Sequence, residues 1–307
     1  MILGCASMGG LYRPITEEEA HAALHTAWEL GVRSFDTAPH YGAGQSEEYL
    51  GAFLRTKARE EFTLSTKVGR LLYDDPAAKD GAAGFFGAPR RSRRLDYSAA
   101  GVRRSLDESL ERLGLDRVDV LLVHDPEDHM PQALGEAGPA LTALRDEGLL
   151  SGWGVGTNYA DVAERFVREA GADTVLIAGR YSLLDRRAEA GLLAACAEHG
   201  VDVLAAGVLN SGLLVDPQPG APFNYAPAPE WIVEAAQRMA AACERHGVSL
   251  RAAALQFPSR HSAVTEVVTG AGRVDSIRDT VAQLAAEVPA ELWAELDELV
   301  PDQGRLP

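Results

Sequence analysis

Three apolar, strand-like runs end in polar residues that could pass a proton among them. Ser34-Phe35-Asp36 ends in an acid, and Tyr41 follows five residues later in the turn Pro39-His40-Tyr41-Gly42. Phe62-Thr63-Leu64-Ser65-Thr66-Lys67 ends in an amine, and Val118-Asp119-Val120-Leu121-Leu122-Val123-His124 ends in an imidazole. A tyrosine titrates at about 10 unperturbed, so proton exchange near neutrality requires a neighbouring cation. Lys67 could supply that cation, Asp36 could hold it charged, and His124 could hydrogen-bond a substrate oxygen. Each residue also has an ordinary reading. Tyr41 could pack, Asp36 could form a turn or cap, and His124 could be a satisfied core histidine. The coincidence of three consecutive strands delivering such groups at one end favours the chemical reading.

Lysine usage adds weight. The 29 basic residues include only three lysines, Lys57, Lys67 and Lys79, the rest being arginine. A lysine at a strand end in so arginine-rich a chain marks a place where a compact, tunable charge is wanted.

The elements that must position these groups alternate along the chain. Thr16 with Glu17, Glu18 and Glu19 starts a capped helix that Gly31 ends. Strands are expected at the N-terminal Ile2-Leu3-Gly4 run, 34–38, 62–67, 118–124, 152–157, 174–179, 202–207 and 265–270, each followed by a helical pattern. Eight strand–helix units predict one α/β domain over residues 1–307, a single (β/α)8 barrel. Long loops follow strands three (69–96) and seven (208–229). Strand ends of such a barrel are where chemistry is assembled. A doubly wound sheet would announce a dinucleotide by Gly-x-Gly-x-x-Gly after an early strand, and none is present. Gly152, Gly154 and Gly156 alternate within a strand, where small residues suit the barrel lining.

Composition sets the outer bounds. A formal charge of −16 argues against nucleic acid. No apolar run is long enough to span a bilayer, and no signal peptide opens the sequence. Cys5, Cys196 and Cys243 lack metal-ligand spacing and read as reduced, buried thiols of a cytoplasmic protein. The run His124-Asp125-Pro126-Glu127-Asp128-His129 has the residue types of a metal site, but contiguous side chains diverge, and no metal is expected. Arg90, Arg91, Arg93 and Arg94 read as a solvated, mobile segment in preference to a phosphate clamp. Phe85, Phe86, Tyr225 and Trp231 are candidates for the wall of a substrate pocket.

Asp36-Thr37-Ala38 with Tyr41-Gly42, Ser65-Thr66-Lys67 and Leu122-Val123-His124 resemble the signature of the aldo-keto reductases, NAD(P)-dependent carbonyl oxidoreductases on a single barrel. Ser65–Leu72, Ala178–Asp185, Asn210-Ser211-Gly212 and Asn224–Pro229 are similar to the aldose 1-dehydrogenase and pyridoxal dehydrogenase branch. That resemblance implies Tyr41, Lys67, Asp36 and His124 as catalytic residues. It implies NAD or NADP, with a lean to NAD, held by Thr157, Asn158, Gly207, Leu209, Asn210, Gly212, Gly270, Gly272, Arg273, Ser276, Asp279 and Thr280. The substrate it implies is a small aldose or aldehyde, with a C1 hemiacetal oxidised to a lactone. Departures are Ala178 where the family usually has glutamine, Ala206 where it has an aromatic, and Ser276 where an arginine often meets a 2′-phosphate, with Arg273 and Arg278 nearby as substitutes. Relatives commonly open with a short hairpin, whereas Met1 here leads straight into strand one. Two rivals are a metal-dependent barrel hydrolase or isomerase, and a non-catalytic nicotinamide-binding subunit that senses redox state.

Overall fold

A computed structural model describes residues 1–307. Eight parallel strands close into a barrel: β1 (Ile2–Gly4), β2 (Ser34–Asp36), β3 (Thr63–Val68), β4 (Val120–His124), β5 (Gly152–Thr157), β6 (Thr174–Ala178), β7 (Asp202–Ala206) and β8 (Val264–Gly270). Their spatial order follows the chain, and β1 pairs with β8 to close the ring. The helical patterns form the outer layer. The first helix, Glu17–Glu29, opens on a capping box in which Thr16 and Glu19 satisfy each other's backbone amides. No helix is long and apolar enough to cross a membrane.

The barrel interior is filled by a small cluster of Ile2, Leu122, Leu176, Leu204 and Val268, distinct from the large core between strands and helices. Side chains alternate in and out along each strand, so residues two apart share a face. Leu122 plugs the centre, and His124 therefore points to the mouth of the same cavity. Ser65 and Lys67 share the inner face of β3 by the same rule. Gly154 is needed where β5 and β6 touch, because a Cβ there would lie 1.6 Å from the Thr174 carbonyl oxygen.

The loop after β3 differs from expectation. It is not a mobile excursion: Arg70–Asp74 and Arg91–Leu95 pair as an antiparallel hairpin. Two of its arginines, Arg91 and Arg93, are engaged with the barrel top, whereas Arg90 donates within the loop to the Pro76 carbonyl (2.9 Å) and Arg94 is exposed, as a solvated segment would have them. Arg93 donates to the His40 carbonyl (2.7 Å), and Arg91 donates to the Ala43 carbonyl (3.1 Å) and Glu48 (2.9 Å). These residues alternate on one strand and so grip the Tyr41 turn on both sides. The loop after β7 carries a short hairpin of Pro222–Phe223 with Ala226–Pro227.

Candidate active site

Register places the acid and the amine together. Asp36 stands opposite Ser65 across β2 and β3, and Ser65 donates to Asp36 Oδ1 (2.8 Å). Two residues on, Lys67 Nζ reaches both carboxylate oxygens (2.9 and 2.7 Å) and the Thr37 carbonyl (2.9 Å). The side chains of Lys67 and Asp36 are 1% and 3% exposed. Burial alone would lower the lysine, but Asp36 and then Tyr41 outweigh it and hold Lys67 above its ordinary range.

The Tyr41 turn is packed tightly against the chain that leaves β1. Gly42 has a φ of +61°, and a Cβ there would sit 2.3 Å from the Gly9 carbonyl oxygen. Ser46, just past the turn, donates to the Cys5 carbonyl (2.7 Å) and shares a hydrogen bond with Thr37 (2.8 Å). Lys67 Nζ lies 4.7 Å from the centre of the Tyr41 ring. His124 stands edge-on to that ring, centroids 5.9 Å apart at 90°. Burial pushes the Tyr41 phenol up to about 12, with Lys67 pulling against the rise and Asp36 adding to it. The cation therefore does not by itself bring the phenol towards neutrality, because desolvation is the larger effect. Burial, then Lys67 and Arg70, hold His124 well below the usual histidine range, so its imidazole is neutral.

Tyr41, Lys67 and His124 line one cavity of about 510 Å³. Thr157 and Asn158 stand on its wall, and Asn158 Nδ2 donates to the Ala178 carbonyl (3.1 Å). The cavity runs past Leu11, Tyr12, Asn158 and Tyr225 into a second of about 350 Å³, where Gly207, Leu209, Asn210, Gly212 and Gly270 are found. A third stretch holds Gly272, Arg273 and Ser276. Asp279 and Thr280 do not line this trough. Both are held by Arg251, which pairs with Asp279 (2.8 Å) and donates to the Thr280 hydroxyl (2.7 Å). Of the aromatic candidates, Phe85 and Tyr225 line the first cavity, whereas Phe86 and Trp231 do not. Arg305 covers the Trp231 ring instead.

Sequence reasoning missed Tyr12, Thr269, Ser7, Arg13 and Arg251 along the trough. Tyr12 offered one faint signal, its place just after Gly9-Gly10. The trough also holds buried polar atoms without partners: Asn210 Nδ2, Thr269 Oγ1 and Ser7 Oγ. Buried polar groups are normally paired, so a row of orphans along one channel fits an elongated polar ligand such as a nicotinamide dinucleotide.

Residues 1–301 match the Aldo/keto reductase family model. The chain belongs to the aldo/keto reductase family. It is 44% identical to a D-threo-aldose 1-dehydrogenase from a Pseudomonas species, over 96% of this chain and 92% of that one. It is 38% identical to a pyridoxal 4-dehydrogenase from Microbacterium luteolum, with the same coverage. An aldo-keto reductase from Bacillus halodurans, solved in its holo form, shares the fold at a TM-score of 0.76 and 24% identity, covering all of this chain and 95% of its own. This aldo-keto reductase is thus an enzyme of NAD(P)-dependent oxidoreduction.

Two departures in the aldo-keto reductase pattern sit beside the central plug of the barrel. Ala178 lines the cavity, and Ala206 packs against the central plug. The acids and histidines after β4 disperse: Asp125 pairs with Arg70 (2.7 Å), and the His129 ring packs against Tyr97 (5.4 Å). Nowhere do three or more His, Cys, Asp or Glu converge as metal ligands.

Proposed function

We propose that this aldo-keto reductase oxidises the C1 hemiacetal of a small aldose, or a related pyridoxal-type hemiacetal, to the lactone. The observation that carries the reading is the buried Lys67–Asp36 pair beneath Tyr41, with neutral His124 edge-on beside it. The names of the two relatives above support the substrate class. Oxidation removes a hydride from C1 and a proton from its hydroxyl. A nicotinamide dinucleotide in the trough supplies the hydride acceptor. The proton falls to Tyr41, whose phenolate the Lys67 ammonium stabilises. Asp36 keeps that ammonium charged and fixed over the ring. His124, uncharged, hydrogen-bonds the oxygen of the reacting carbon and holds it against Tyr41. Along the trough, Asn210, Thr269 and Ser7 have the free hydrogen-bonding capacity to meet a dinucleotide, and Gly270 and Gly272 let its backbone approach.

NAD is the favoured cofactor. At the outer end Arg13 pairs with Glu19 and Arg251 with Asp279, leaving the exposed Arg273 and Arg278 for a 2′-phosphate where an arginine at 276 would otherwise stand. Three unpaired, buried cysteines suit the reducing cytoplasm. A panel of aldoses, pyridoxal and simple aldehydes, run with each oxidised and reduced nicotinamide form, tests the whole reading. The expected result is cofactor reduction with an aldose at a lower Michaelis constant for NAD than for NADP. Activity confined to simple aldehydes would overturn the substrate assignment.

A further inference from the structure

Asp125 follows His124 with a φ of +45°, a left-handed backbone that a non-glycine residue holds only under constraint. Three hydrogen bonds constrain it, and His124 Nε2 lies 3.5 Å from its Oδ2. Its amide donates to the Gly156 carbonyl (3.0 Å), its carbonyl accepts from the Tyr97 hydroxyl (2.9 Å), and its Oδ2 accepts from Arg70 (2.7 Å). The side chain, 25% exposed, lines the cavity that holds Tyr41 and Lys67. Its other oxygen, Oδ1, accepts no hydrogen bond within the chain.

His40 lines the same cavity, its ring 5.6 Å from that of His124. Burial, then Arg70 and Arg93, lower it to about 3, so its imidazole is uncharged and offers one donor and one acceptor. Its Nδ1 is buried without a partner. Phe85, Tyr12 and Tyr225 add aromatic faces to the wall. An ionised acceptor, a neutral donor–acceptor and flat apolar faces match a ring that carries several hydroxyls: the hydroxyls donate to the carboxylate in charge-assisted bonds while the C–H faces lie on the aromatics. A simple aldehyde could use none of the polar partners.

We propose that Asp125 and His40 form a subsite that reads the ring hydroxyls of the substrate, and that Asp125 sets the preference for polyhydroxylated over simple carbonyl compounds. The proposal deepens the aldose reading above and rests on it for the substrate class. Arg70 acts through Asp125 as a positioning residue, holding Oδ2 while Oδ1 keeps its capacity to accept.

The test uses Asp125→Asn, since asparagine also tolerates the left-handed backbone. Two quantities are read in wild type and variant. One is the ratio of kcat/KM for an aldose to kcat/KM for a simple aldehyde. The other is the inhibition of simple-aldehyde turnover by a 1,5-anhydroalditol, here called the alditol, which keeps the hydroxylated ring but has no oxidisable anomeric carbon. Loss of a charge-assisted hydrogen bond should lower the ratio about tenfold or more and raise the alditol inhibition constant by a similar factor. His40→Gln should move both in the same direction. Equal losses on both substrates would overturn the proposal, because they would mean that Asp125 merely props His124. So would a wild-type enzyme that alditols do not inhibit, or a variant inhibited as well as wild type. If wild type oxidises no aldose yet is inhibited by alditols, the aldose reading falls and the subsite stands.

Discussion

The β2–β3 corner and the trough differ in how far the chain has satisfied itself. At the β2–β3 corner the Lys67 ammonium meets both oxygens of Asp36 and the Thr37 carbonyl, and Ser65 caps the carboxylate. Along the trough from Asn210 to Ser7, buried donors and acceptors stand without partners. The first region is organised by the fold alone, and the second keeps its hydrogen bonds in reserve. Catalysis by a pre-set charge requires the first arrangement, whereas exchange of a cofactor at every turnover suits the second. Substitutions at the corner should therefore damage both stability and rate, and those in the trough should affect binding with little loss of stability.

The largest effect belongs to Lys67→Met. Removing one partner of a buried pair strands the other charge, a cost of about 3–5 kcal/mol. The double variant Asp36→Asn/Lys67→Met should regain much of that loss in chemical denaturation while remaining inactive. A double variant no more stable than the single one would show that the pair is not what organises the corner. Next comes Tyr41→Phe, which keeps the ring and removes the proposed proton carrier. Its kcat should fall by about 10²–10⁴-fold, with a thermal midpoint close to wild type. Near-normal turnover would remove Tyr41 from the proposed mechanism.

Thr269→Val probes the other end. The hydroxyl of Thr269 is buried and unpartnered, so replacing it by a methyl should leave the protein as stable or slightly more stable. If that hydroxyl meets the cofactor, the Michaelis constant for the nicotinamide should rise by roughly two- to tenfold, the value of one net hydrogen bond. Thermal denaturation with and without cofactor separates the two effects. A loss of stability without cofactor would show that the trough is as self-satisfied as the corner.

What could be read from the sequence follows the same division. The barrel and its polar strand ends were legible because short apolar runs, each buried on both faces, alternate with helical patterns along the chain. Asp36, Lys67 and His124 announced themselves by ending such runs. The hairpin at 70–95 was not legible. Its strands, Arg70–Asp74 and Arg91–Leu95, are rich in charge, and they pair because Arg91 and Arg93 find carbonyls on the Tyr41 turn. That contact joins residues about fifty positions apart and leaves no local pattern. Arg251 was hidden for a like reason. It lies on the helix Leu250–Gln256, where nothing local signals that it will take Asp279 and Thr280 as partners.

The smallest expected effect is the pH dependence of the reduction direction. Burial raises Tyr41 to about 12 and lowers His124 well below its usual range. A raised phenol stays protonated, and a lowered imidazole stays neutral, as pH moves from mildly acidic to mildly alkaline. In the proposed mechanism run in reverse, aldehyde reduction needs both forms, since the phenol gives its proton to the forming alkoxide. Its kcat/KM should vary by less than about twofold across the neutral range, because neither group titrates there. Oxidation draws on the opposite form of Tyr41, so its kcat/KM should rise with pH towards the phenol value. A limb with the ordinary histidine pKa in the reduction profile would mean that His124 titrates freely. The corner would then be open to water, contrary to the desolvation on which the contrast with the trough depends.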